Sequence, residues 1–130
     1  MRTLAFAGGV MAAALLAFTA AAQPAATPAK VGQTSAGPTL TDPAGMTLYT
    51  YTRDMTGYSN CNDPCAAAWP PFAAPADAKS AGDWSIVHRD DGKPQWAYKG
   101  AALYRDAKDA KPGDAAGDGA DGGKWHVAKP

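Results

Sequence analysis

The only two cysteines in the chain, Cys61 and Cys65, stand four positions apart in the stretch SNCNDPCAAAWPPF. Thiols so placed support three chemistries. In an oxidising compartment an even cysteine count reads first as a disulfide, and closing so short a loop would stabilise the fold by about 2 kcal/mol. Kept reduced, the pair would offer soft thiolates to copper or zinc, with Met46, Met55, His88 or His126 completing the ligand set. A catalytic dithiol has least support, because Cys-x-x-Cys spacing and a thioredoxin-like βαβ context are both missing. The Cys-x-x-Cys-His signal for haem attachment is missing as well.

The remaining reactive side chains offer little catalysis. All 12 acidic residues are Asp. No Glu can close an EF-hand loop, and no Glu pair can act as general acid and base. Ser59, Ser80 and Ser85 sit in no Gly-x-Ser-x-Gly elbow, and the two histidines lack a partner pattern for a triad. Asp54 and Asp109 read as braces for the turns that follow two strands; a polar site at their junction is the functional alternative, and a hydrolase using both is a remote one. Asp106, Asp109, Asp114, Asp118 and Asp121 alternate with Gly in a loop spanning 106–123, which invites a calcium reading. Lys108, Lys111 and Lys124 lie among them and no nine-residue repeat appears, so a solvated, loosely ordered loop is expected instead. No catalytic, cofactor or metal residues are assigned.

These residues need elements to hold them. Residues 23–38, QPAATPAKVGQTSAGP, have no hydrophobic period and are expected to be a disordered linker. Thr39–Thr41 and Met46–Thr52 then form a hairpin about the turn at Asp42–Gly45, with Thr47, Tyr49 and Tyr51 on one face of its second strand. A cap at Asn62 or Asp63 and Pro64 in the first turn start a short helix through Trp69, which Pro70 and Pro71 stop. Asp91-Gly92 and Lys99-Gly100 turn Trp84–Arg89, Gln95–Tyr98 and Ala102–Arg105 into a meander, and a last strand lies near Trp125–Val127. Four tryptophans, including Trp69, Trp96 and Trp125, are expected to fill the core and pair across strands, or in part to form an exposed platform.

Beneath this order lies a repeat. Gly45, Leu48, Tyr49, Arg53 and Asp54 recur as Gly100, Leu103, Tyr104, Lys108 and Asp109, always 55 positions later. Duplicated units of this kind bury their apolar faces against one another. The fold class expected is mainly β, a small antiparallel domain of two related hairpin units, about 39–72 and 84–130, with one short helix after the first unit.

Tyr49, Tyr51 and Asp54 in YTYTRD, with SNCNDPCAAAWPP, DGKPQWAYKGAALY and GDAAGDGADGGKWHVAKP, carry a resemblance to a bacterial exported family. That family is described as secreted repeats of unknown function, or as predicted lipoproteins with a Tyr-x-aromatic-x-x-Asp motif. The resemblance runs from about Thr39 to Lys129 and implies no activity of its own. Two departures stand out: no lipid-acceptor cysteine follows the leader, and Asp106 stands where the first copy has Tyr51.

The leader itself, residues 1–22, pairs a basic Arg2 with an apolar Ala-rich run ending in small residues, as an export signal does. Its removal leaves no transmembrane segment and a chain of roughly 108 residues, enough for one domain. Charge is balanced, 12 basic against 12 acidic residues overall, so nucleic acid is not an expected partner. The expectation is a periplasmic or secreted monomer, a non-catalytic binding or interaction module for an unknown envelope partner or small ligand. A periplasmic copper-binding or redox protein using Cys61 and Cys65 is the alternative.

Overall fold

The computed structural model describes residues 8–9 and 27–130. The expected export signal, apart from Gly8 and Gly9, therefore lies outside the described residues. The elements are all short: β1 (Lys30–Thr34), β2 (Gly37–Thr41), β3 (Tyr49–Tyr51), α1 (Pro64–Ala68), β4 (Trp84–His88), β5 (Pro94–Tyr98), β6 (Ala101–Ala102), α2 (Ala120–Gly123) and β7 (Trp125–Val127). Strands pair antiparallel in three small sheets, β1-β2, β3-β7 and β4-β5-β6. No described helix is long and apolar enough to cross a membrane.

The first correction is at the start. Residues 30–38, expected within a disordered linker, form β1 and its turn into β2, with Val31 opposite Leu40. Composition misleads here because β1 buries little of itself: Val31 is 57% exposed. Its order comes from the β2 ladder, from the Thr34 hydroxyl accepting the Ala36 amide at the turn, and from Ser35 N–H donating to Gly113 O at 3.1 Å. Three further boundaries move. Regular strand β3 covers only Tyr49–Tyr51, and β6 stops at Ala102 where residues to Arg105 were expected. At the helix, Pro64 holds the first turn as expected, but neither Asn62 nor Asp63 caps it with a side chain: Asp63 occupies the cap position at φ 53° with no such bond.

The hairpin expected around Asp42 does form. Asp42 Oδ1 accepts the amides of Ala44 and Met46, both at 2.9 Å, and Thr41 bridges Thr47. The meander β4-β5-β6 forms in the expected order, with its last strand cut short, and its second turn places Lys99 (φ 49°) and Gly100 (φ 83°) in the left-handed region that a two-residue hairpin with the right twist requires.

The two units interlock rather than stack. Leu48 N–H donates to Leu40 O and Leu103 N–H to Trp96 O, both at 3.0 Å; Ala128 N–H donates to Leu48 O and Phe72 N–H to Leu103 O, both at 2.8 Å. Equivalent bonds thus recur about an approximate two-fold axis, which passes where Tyr49 and Tyr104 exchange N–H···O bonds at 2.8 and 3.0 Å. The end of each unit is delivered into the other: β7 lies on β3, and residues near Pro71 lie on Tyr104. One core cluster holds Tyr49, Cys61, Val87, Tyr104, Trp125 and Val127, and a second holds Leu40, Leu48, Trp84, Leu103 and Ala128.

Candidate functional site

At the two-fold axis the repeated tyrosines do not bond to their own aspartates. Tyr49 donates its hydroxyl to Asp109 Oδ2 at 2.7 Å, and Tyr104 donates to Asp54 Oδ2 at 2.6 Å. Each carboxylate then braces its own loop: Asp54 Oδ1 accepts Asn60 N–H at 2.7 Å, and Asp109 Oδ1 accepts Ala116 N–H at 3.1 Å. The bracing expected of these aspartates is present, over six and seven residues rather than two or three. The pairs meet at the junction of the repeats, each tyrosine bonded to the aspartate of the other copy.

A model of a secreted repeat of unknown function, taken as a family profile, matches residues 30–73 and again 85–129. The chain belongs to this secreted-repeat family. The two matches meet the two interlocked units and extend the first to residue 30, taking in β1. No curated protein and no solved structure matches the chain. Export of the secreted repeats fits the leader read from the sequence.

Burial sets the electrostatics of the crossed pairs. It pushes the Tyr49 and Tyr104 hydroxyls far above the ordinary phenol range, and the bond to a carboxylate adds to this in both. Burial also raises Asp54 and Asp109, while the tyrosine bonds oppose that rise. Tyr104 also meets Ser59 Oγ at 2.6 Å, and Arg89 Nη1 donates to that oxygen at 3.0 Å. The guanidinium of Arg89, itself fully buried, donates further to Gln95 Oε1, Cys61 O and Asn62 Oδ1, and pairs with Asp91. Neither Ser59 nor Arg89 carried a sequence signal for this role, since both act across loops distant in the chain.

The motif aromatics come together as a stack. Trp69 and Trp125 lie face to face at 3.9 Å and 6°, and Tyr51 covers Trp125 at 4.2 Å and 10°. Tyr49 meets Trp69 edge-on at 5.3 Å, and Tyr104 meets Trp125 likewise at 5.1 Å. The two edge-on contacts are the arrangement that the ring quadrupoles favour, while the stacked rings bury their faces against one another. Trp96 is not among them; it packs against Trp84 in the second cluster.

The cysteines are joined as a Cys61–Cys65 disulfide, with Cys61 in the core. The other residues of the metal reading are dispersed. Met46 lies in the Asp42 turn, Met55 is exposed beside Tyr58, His88 ends β4 and His126 lies on β7. Among the described residues no three His, Cys, Asp or Glu side chains converge as a metal site.

The acidic loop corrects another expectation. It is pinned rather than loose: Asp106 Oδ1 accepts Lys108 N–H, Asp114 Oδ2 accepts Ala110 and Lys111 N–H, and Asp118 Oδ1 accepts Val127 N–H. Asp106 closes a turn two residues on, Asp114 reaches back three and four residues, and Asp118 ties the loop to β7 nine residues on. α2 within this loop is one turn with positive φ at Asp121 and Gly122.

The loop also shapes a pocket of about 190 Å³ beside Trp69, walled by Ala68, Asp106, Ala107, Lys108, Ala116, Gly117 and Ala120. Gly117 is needed there, since a Cβ would lie 2.5 Å from Trp69 Cη2 and 2.7 Å from Asp106 Oδ2. It combines an indole ring, several methyl groups and a buried carboxylate.

Proposed function

We propose that this secreted protein is a non-catalytic binding module of the periplasm or cell envelope, holding a small ligand or partner group without transforming it. The observation that carries this reading is the crossed pairing of Tyr49 with Asp109 and Tyr104 with Asp54. It commits the carboxylates and phenols that acid-base chemistry would require to joining the two repeats. The Cys61–Cys65 disulfide adds a local staple beside them. What remains for recognition is surface built on that rigid frame, foremost the Trp69 pocket.

The test is a melting-temperature screen of the oxidised mature protein against small acids, sugars and amines, followed by mass analysis of each stabilising compound. A binding module gives a saturable rise with the compound recovered unchanged. Consumption of a compound that Asp54→Asn or Asp109→Asn abolishes without unfolding the protein would establish an enzyme instead.

A further inference from the structure

We propose that the pocket beside Trp69 is a site for a small organic cation of the guanidinium or alkylammonium class; this rests on the binding-module reading and names its ligand. The site arises from a break in the two-fold symmetry. Around the axis, Trp125 corresponds to Trp69, and Tyr51 corresponds to Asp106, 55 positions later. On one side Tyr51 stacks on the outer face of Trp125. On the other, Trp69 stacks on Trp125 with one face, and among the described residues no aromatic ring stacks on the opposite face. The recess opens at Trp69, on the side where Asp106 replaces the tyrosine.

Asp106 gives the recess its charge preference. The residue is only 5% exposed, yet among the described residues it forms no ion pair. Its Oδ1 accepts Lys108 N–H at 2.9 Å, and among the described residues its Oδ2 has no donor. No described side-chain oxygen or nitrogen is both fully enclosed and unpartnered, so Oδ2 reaches the solvent of the pocket. A carboxylate oxygen beside an indole ring and methyl groups favours a cation twice, through the ring quadrupole and through a charge-assisted hydrogen bond. The volume, about 190 Å³, suits a compact head group rather than a polymer. Lys108 also lines the recess, but it is exposed to solvent while Asp106 is buried. A sugar would stack on the same ring but needs several hydrogen-bonding groups around it, and beyond Trp69, Asp106 and Lys108 the walls are four alanines and a glycine.

The test uses methylguanidinium chloride, with neutral methylurea of nearly the same shape and glucose as comparisons, on oxidised full mature protein. The readout is the indole N–H resonance of Trp69, assigned through Trp69→Phe. Expected is a saturable shift with methylguanidinium, at least tenfold weaker in Asp106→Asn, which keeps the Lys108 turn. Asp106→Tyr, which restores the ring of the first repeat, should remove it. Should Asp106→Tyr misfold by near-ultraviolet circular dichroism, Ala120→Leu, which fills the pocket from its rim, supplies the same test. Equal response to methylurea, preference for glucose, or unchanged affinity in Asp106→Asn overturns the cation assignment while leaving a binding module. No response to any probe here, together with turnover of a compound in the screen above, removes both readings.

Discussion

Replacing Tyr104 by Phe removes one hydroxyl from the junction of the repeats and leaves the ring's edge contact with Trp125 in place. Two bonds are lost, one to the Asp54 carboxylate at Oδ2, at 2.6 Å, which sets the size of the effect, and one to Ser59 Oγ, also at 2.6 Å. A hydrogen bond to a charged group contributes about 1.5–3 kcal/mol, against about 0.5–1.5 kcal/mol for a neutral pair. At neutral pH the variant should therefore lose about 1.5–3 kcal/mol, or roughly 6–12 °C in melting temperature for a domain of this size. The loss should depend on pH in a defined direction. Asp54 already sits above its ordinary value of 3.8 through burial, so its contribution favours the folded state fully below that value and is lost as pH rises through the raised one. The tyrosine bond opposes the rise, so Tyr104→Phe lifts Asp54 further and the variant binds its proton at higher pH. Acidification from pH 7 towards 3.8 should then narrow the gap to wild type by about 1 kcal/mol. Urea unfolding followed by tryptophan fluorescence at both pH values measures it. A loss under about 0.5 kcal/mol at pH 7, or the same loss at both, would refute the role given to the crossed bonds.

Tyr49→Phe should behave in parallel, because Asp109 is raised for the same leading reason and opposed by the same kind of bond; urea midpoints at the two pH values compare the pair. Arg89→Met leaves Gln95 Oε1 and Cys61 O without the Arg89 donor and Ser59 Oγ with only the Cys61 amide, and should cost about 3 kcal/mol in denaturant unfolding. Gly117→Ala forces a methyl against Trp69 and Asp106 and should lower stability by about 1–3 kcal/mol, read by calorimetry. Reducing the Cys61–Cys65 bond should cost about 2 kcal/mol, because the loop it closes is short, and a reductant titration of the melting temperature checks it.

Much of this molecule is determined locally. Turn residues and alternating patterns place the meander, the Asp42 hairpin and the proline-started helix, because each rests on backbone preferences acting within a few residues. The copies 55 positions apart reveal the duplication for the same reason: matching residues serve matching local roles. Tertiary structure decides what no local pattern encodes. β1 is ordered by the β2 ladder and by contacts such as Ser35 to Gly113 far along the chain, so its own composition reads as linker. The Tyr-Asp pairs cross between copies because the end of each unit is delivered into the other, β7 onto β3 and residues near Pro71 onto Tyr104, a choice of partner invisible to spacing. The substitution of Tyr51 by Asp106 is legible in the alignment of the two copies, but its consequence is not. Only packing brings that carboxylate to Trp69, since stacking, burial and charge act through space between residues that the chain holds far apart.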